Sequence, residues 1–586
     1  MVGTTESTGE VRGKVFPVPN GRDCTMPFSG REMHSSKTTA GKDSASAASQ
    51  WLLRDVSVNL TARLVRSAEM EAALISAFVG TLVLWAQWRY GFNWGDEGWL
   101  WYISQRTALA QVPIRDVFSY DPGRYYWSAA IFKILGKDGF FEQLVANYLF
   151  GALGLAITYL AMARLGVTRG WRTAVLILLG IVLGFPRHKI FEQALSLVAA
   201  AGIAFILSGP ERPKRWFIYG VATGLAAFIG RNSGLYFAIA AILAFILLKL
   251  RSRAPHLKLA LGPFFAGVVI GYLPIIFMMI RFRGFTSAFF ESVLLTPKWS
   301  WRLPIPFPWH SHAGGLHGLD ALQRVAVSLL CIAVPVTYAL IVWAGSRRES
   351  NGALTLATGA SLAGIPYLHH AFYHADFFHI AQGVVPFVVA VGTLAYGLWT
   401  QGKPRWSMMC FSGLILLVFG SWLPMEPLVQ HLRMRANAPH TLAEVIIDGR
   451  DFEVSAQQAQ VMRTVETTFR SCGAIDGSFL EAPYYPGLYA FLRTRAPTWD
   501  VYYLWPRSDA VQNREIEALI QNRTSLVLVN KEASFDGKDW LKIGKTNPRL
   551  MQYITTEYVS TGINLPQGFE LYALPRSCAQ SVLSTM

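Results

Sequence analysis

Charge is scarce in this sequence: Asp, Glu, Lys and Arg make up only 15% of its 586 residues, against 52% hydrophobic. That balance excludes an ordinary water-soluble enzyme and places much of the chain in a membrane. Cysteine is scarcer still, and the five present (Cys24, Cys331, Cys410, Cys472 and Cys578) show no C-x-x-C spacing. A disulfide scaffold and a zinc ribbon are thereby excluded. No Gly-x-x-x-x-Gly-Lys-Ser/Thr loop occurs, which argues against ATP-driven transport. Acidic residues number 37 against 53 Lys and Arg, a net charge of +16. Much of that excess lies in short loops between apolar runs, as membrane insertion leaves it, so no nucleic-acid partner is called for.

Residues 1–68 are rich in Ser, Thr, Gly and Lys, hold no sustained apolar run, and read as a disordered cytoplasmic tail. Its last stretch, Trp51 to Arg66, has the spacing of an interfacial helix, with a frayed linker as the alternative. The first apolar segment begins near Ala72 and reads as an uncleaved anchor. Apolar runs near 72–88, 144–162, 173–185, 190–208, 216–229, 233–249, 259–280, 321–344, 352–368, 380–399 and 406–423 predict about eleven transmembrane helices. Loop charge orients them. With the tail cytoplasmic, the short inner loops carry fourteen Lys and Arg, among them Arg164, Arg212, Lys249, Arg347 and Lys403, and the short outer loops only Arg187, Lys189 and Arg231.

The expected fold is therefore a polytopic α-helical membrane protein with a C-terminal soluble α/β domain. Its parts are the tail 1–68, a transmembrane domain 69–424 with outer-face loops 89–143 and 281–320, and an outer-face domain 425–586. In the last, helix-like stretches (Ala456 to Arg470, Asn513 to Arg523, Asn547 to Tyr558) alternate with strand-like ones (Asp500 to Leu504, Ser525 to Asn530, Phe569 to Leu574). Cys472 and Cys578, the two cysteines there, are expected to pair in an oxidising compartment. The multi-pass chain is assigned to the plasma (inner) membrane, its N-terminus cytoplasmic and its C-terminal domain outside or periplasmic.

The chemistry concentrates after the first span. Gly95-Asp96-Glu97-Gly98 opens an amphipathic, helix-like run to about Ala110 that is too short to cross, and Tyr120-Asp121-Pro122-Gly123-Arg124 follows. Helix capping by Asp96, with Glu97 favouring the positive helix end, is one reading of the pair; catalysis is the other. Neighbours on a helix do not share a face, so the two carboxylates should meet different partners. Arg187, Lys189 and Arg231 sit on the outer side against the insertion bias, which marks them as functional candidates; contact with anionic lipid is the alternative. His374, Asp376 and His379 form a late outer cluster fit for hydrogen bonding or, with Asp96 or Glu97, for a metal. Trp299, Trp301 and Trp309 in the second outer loop suit either sugar stacking or an interfacial belt.

Taken together, the Asp96-Glu97 pair behind the first span, the Pro122-Gly123 turn with its aromatics, Phe132-Lys133-Ile134-Leu135-Gly136, and His374-Ala375-Asp376-Phe377-Phe378-His379 before a span containing Pro386 resemble the GT-C superfamily of membrane glycosyltransferases. The resemblance is in particular to the branch that includes protein O-mannosyltransferases and the lipid A aminoarabinose transferase. The resemblance implies transfer of a hexose or pentose from a polyprenyl-phosphate donor to an outer-face acceptor (glycan, lipid or protein), with Asp96 acting as or near the base. It departs from the family at the turn, where relatives carry a lysine thought to meet the donor phosphate and this chain has Arg124 beyond the glycine. Arg124, Arg187, Lys189 and Arg231 are therefore the candidate phosphate-binding set, Asp96 and Glu97 the catalytic pair, and His374, Asp376 and His379 the site lining. No cofactor is firmly implied, and a divalent metal stays open. No Trp-Trp-Asp sequence occurs in 425–586, which argues against an oligosaccharyltransferase-type tail. The alternative reading is a polytopic lipid or glycan transporter without covalent chemistry; a transporter should show midplane charges and internal repeats, and the nearly charge-free spans and lack of a repeat favour transfer.

Overall fold

The computed structural model describes residues 67–300, 309, 318–347, 351–373, 376–472, 475–534 and 537–575, with the side chains of 295–300 excepted. Every apolar run read from the sequence is helical. Among the described residues, seven helices are long and apolar enough to cross a bilayer: Ser67–Gln87, Phe140–Arg164, Arg187–Leu207, Arg231–Leu250, Leu257–Arg281, Leu319–Arg347 and Pro404–Met425. An eighth forms if Phe377–Gly383 and Val385–Thr400, bent by 49° at their junction, count as one span. Three more runs fall short of that standard. Arg169–Gly184 has 16 residues and Pro213–Ile229 has 17, while Gly352–Tyr373 carries Thr355, Thr358, Ser361 and two histidines and is enclosed by its neighbours for most of its length. A helix that faces other helices rather than lipid does not need a fully apolar surface. The chain is a multi-pass membrane protein on this evidence of length and apolarity.

Two helices break the first long loop, Asp96–Ala108 and Gly123–Leu135. The expected amphipathic character of the first is not found: every residue from Glu97 to Thr107 is buried. The reason is that it is packed on all sides, with the C-terminal region closing over it. The second loop is not irregular throughout either, since Phe285–Ser300 is helical.

The C-terminal region contains a hairpin, β1 (Leu442–Ile447) with β2 (Arg450–Ser455), and a mixed sheet built from β3 (Phe479–Ala482), β4 (Leu526–Asn530), β5 (Val559–Ser560) and β6 (Phe569–Ala573). The sheet order is β3-β4-β6-β5, with β3 parallel to β4 and the other pairs antiparallel. Helices Ala456–Ser471, Asp509–Gln521 and Pro548–Glu557 match the helix-like stretches, and β4 and β6 match two of the strand-like ones. Asp500 to Leu504 is not a strand. Asp500 turns its carboxylate back onto the Tyr502 N–H at 2.9 Å and onto Arg507 Nε at 2.6 Å, bending the backbone out of any ladder. Cys472 is disulfide-bonded; Cys578, its expected partner, lies outside the described residues, as does the Trp51–Arg66 stretch.

One hydrophobic core joins the first outer loop to the C-terminal region, bringing Trp99, Trp101 and Phe140 together with Phe452, Phe469 and Leu488. Because they touch, both lie on the same side of the membrane. The closest approach is at Gly98: a Cβ there would stand 2.5 Å from Gly487 Cα and 2.6 Å from Gly487 N. Backbone cannot yield as a side-chain end would. Gly98→Ala is therefore expected to destabilise the protein by about 1–3 kcal/mol, read as a lower melting temperature and faster proteolysis of the C-terminal region; a wild-type melt would refute this contact.

Candidate functional site

Asn93 starts the helix that bears the carboxylate pair. Its side-chain oxygen accepts from the backbone N–H groups of Gly95 at 3.0 Å and Asp96 at 3.1 Å, an Asx turn that meets donors left open at a helix start. The N-cap is Gly95, without a side-chain cap bond, so Asp96 does not serve as the cap. Both carboxylates occupy the first turn, where the helix dipole favours them.

From there they diverge, as adjacency on a helix requires. Glu97 is buried and forms a bidentate pair with Arg187, Nε to Oε1 at 2.6 Å and Nη2 to Oε2 at 2.8 Å, while also accepting the Asn93 N–H at 3.0 Å. The remaining Arg187 donors go to the carbonyls of Gln87, Tyr90 and Gly91 at 3.1, 3.2 and 3.0 Å. All five guanidinium N–H groups are thus spent inside the protein. Arg187 fastens the loop after the first span to the start of a later helix, and it has no donor left for a phosphate.

Asp96 faces a more open space, with 42% of its side chain exposed. Tyr484 Oη donates to Oδ1 at 2.8 Å, Asn93 Nδ2 donates to Oδ2 at 3.3 Å, and His188 Nε2 lies 3.6 Å from Oδ2. Desolvation pushes the Asp96 carboxyl up, but His188 and Lys189, with the hydrogen bonds from Tyr484 and Asn93, outweigh it and hold the group below the usual carboxylate range. Burial, and next the Asp96 charge, pushes the Tyr484 hydroxyl well above its usual value, so it remains a donor.

Lys189 shares a small cavity of about 20 Å³ with Asp96, Tyr120, Arg124 and His188. Its ammonium stands 5.9 Å from the centre of the Tyr120 ring and makes no hydrogen bond or ion pair among the described residues. Arg124 is held by Glu192 at 2.7 Å and by the Ile229 carbonyl at 3.1 Å, through Nη1 and Nε, leaving Nη2 without a hydrogen bond among the described residues. Arg231 is anchored to Asp121 through Nε at 2.9 Å and its own backbone N–H at 2.7 Å, and its Nη2 donates to Ser292 at 3.1 Å. The structure thus brings Asp96, Lys189 and Arg124 to one cavity and commits Arg187 and Arg231 elsewhere.

Asp376 and His379 meet each other. The Asp376 side chain caps Phe377–Gly383 by accepting the His379 N–H at 2.9 Å, and it contacts His379 Nδ1 at 2.9 Å. His374 lies outside the described residues. Among the described residues no three His, Cys, Asp or Glu side chains are grouped to hold a metal.

Sequence reasoning missed Asn93, Glu192 and Tyr484. It also missed an aromatic wall in which Trp99 packs on Tyr120 at 4.6 Å and Tyr502 at 5.3 Å, with Tyr484 against Tyr502 at 4.3 Å. The one local signal for Tyr484 is its place in Pro483-Tyr484-Tyr485-Pro486-Gly487, an aromatic pair in a turn rigid enough to aim it.

No family model and no curated protein matches the chain. Among solved structures it is similar to an Archaeoglobus fulgidus oligosaccharyltransferase tethered to an acceptor peptide containing the NVT sequon, at a TM-score of 0.44 and 12% identity over 87% of this chain and 74% of that one. It is also similar to ArnT from Cupriavidus metallidurans, at 12% identity in both states: bound to undecaprenyl phosphate, with a TM-score of 0.46 over 87% of this chain and 98% of that one, and in the apo state, with 0.45 over 91% and 99%.

Proposed function

We propose that the chain is a glycosyltransferase that moves a hexosyl or pentosyl group from a polyprenyl-phosphate donor to a hydroxyl acceptor on the outer face of the membrane, with inversion. The observation that carries this reading is the pairing of an ionised, accessible Asp96 with the uncommitted Lys189 ammonium in one cavity. A sugar phosphate already has a good leaving group. Its departure needs a cation for the developing negative charge, and the attacking hydroxyl needs a base. Lys189 and the open Nη2 of Arg124 supply the first and Asp96 the second. Glu97 is locked to Arg187, so no second carboxylate is offered as a nucleophile, and a single displacement inverts the sugar carbon.

The polyprenyl class of donor follows from the motif resemblance and from position: Lys189 stands at the start of an apolar helix. In this reading the three shorter helices also cross, giving eleven spans with the N-terminus cytoplasmic, and 425–586 acts as an outer-face domain. The cation duty is met by side chains, so the step is written without a metal.

Lys189→Met tests the reading. A lost charge-assisted contact of about 1.5–3 kcal/mol corresponds to affinity for the carrier-lipid phosphate weakened roughly ten- to hundred-fold, measured with undecaprenyl phosphate on the full-length protein in detergent. Unchanged affinity would overturn the phosphate assignment. Transfer in detergent, where no membrane separates two compartments, is also a result that a transporter would not give.

A further inference from the structure

A second, larger cavity of about 280 Å³ lies between the stretch 90–93, residues 185–188, the helix Pro427–Asn437 and the hairpin β1–β2. Asn93 and His188 line it and also contact Asp96, so the cavity adjoins the reacting carboxylate. Its far wall holds His431, whose Nδ1 is fixed by Glu453 at 2.8 Å and whose ring is stacked by Tyr90 at 4.4 Å. A carboxylate on one ring nitrogen sets the orientation of the other. His431 Nε2 makes no hydrogen bond among the described residues.

The ionisable groups on these walls are engaged with each other: Arg187 is spent on Glu97, and Glu453 is bonded to His431. What remains is planar polar groups, Gln430 and Asn93 beside His431, and aromatic surface from Phe92 and Phe378. That combination suits a neutral, ring-shaped polyol, whose hydroxyls take hydrogen bonds and whose C–H face lies on aromatic rings. A peptide binding by strand addition would need an open strand edge. The nearby edge is taken, because Gly91 N–H donates to the Glu453 carbonyl at 2.8 Å and Glu453 N–H to the Arg89 carbonyl at 3.0 Å.

We propose that this cavity is the acceptor subsite and that it takes a sugar ring, oriented by His431. The inference rests on the transfer reading above and names its acceptor class as carbohydrate. In the step, an acceptor hydroxyl oxygen bonds to the donor sugar's anomeric carbon, the bond from that carbon to the phosphate oxygen breaks with its electron pair on phosphate, and the hydroxyl proton passes to Asp96.

The test is binding of methyl glycosides (mannoside, glucoside, arabinoside) to the full-length protein in detergent without donor, by calorimetry. At least one is expected to bind saturably, with affinity at least fivefold weaker in His431→Gln and in Gln430→Ala. Gln430→Ala keeps the measurement decisive if His431→Gln fails to fold. No saturable binding, binding indifferent to both cavity variants, or binding of a Ser/Thr peptide in place of the glycosides would overturn the proposal. Each result is separate from the donor-affinity test, so acceptor class and transfer chemistry fail independently.

Discussion

Asp96→Asn is expected to lower single-turnover sugar transfer by about 10²–10⁴-fold while leaving donor affinity close to that of the wild type. The substitution keeps the shape and the oxygen that receives Tyr484, but it removes the charge that accepts a proton. Folding should survive, because the helix start is held by Asn93 and not by Asp96. The same carboxylate sets a pH expectation. Its folded value is depressed, so it is ionised through the neutral range and loses its charge only as pH falls through that lowered value. Transfer should therefore persist to more acidic pH than an ordinary aspartate would allow. Near wild-type transfer by Asp96→Asn would sink the assignment and move the base to Glu97 or Asp376.

Arg187→Met should act on the fold instead. It leaves Glu97 buried without its cation and strips three backbone carbonyls of their donor, and breaking one side of a buried ion pair costs roughly 3–5 kcal/mol. The expected readout is a large fall in melting temperature or loss of the monodisperse detergent peak. Adding Glu97→Gln should restore part of the loss, since the unpaired charge goes with it. A stable Arg187→Met protein with weakened donor binding would return Arg187 to the phosphate set.

How far the sequence foretold these arrangements depends on the range of the interaction. Apolar runs fix helices locally, so each expected span is a helix, and the different partners of Asp96 and Glu97 follow from helix geometry alone. A cation's partner is not local. Arg187 and Glu97 are 90 positions apart and Arg124 and Glu192 are 68 apart, so the four outer cations looked equivalent although three of them hold ion pairs and Lys189 has none among the described residues. Asp96–Ala108 looked amphipathic because polar residues were read as facing water, whereas Gln105 and Arg106 are buried beneath neighbours from elsewhere in the chain. Asp500 to Leu504 had strand-like composition, and a side-chain bond to Arg507 overrode it.

The hydroxyl that meets Asp96 belongs to a residue 388 positions further along the chain. At about 5–20 residues per second of synthesis, Asp96 waits roughly 20–80 s for Tyr484 to be made, and His431 and Glu453 arrive little sooner. Through that interval the growing chain holds a carboxylate without its partner and a cavity without its far wall. In the proposed reading, the Asp96 site is complete only after the last apolar helix has been made, and a chain ending before Tyr484 is expected to lack transfer.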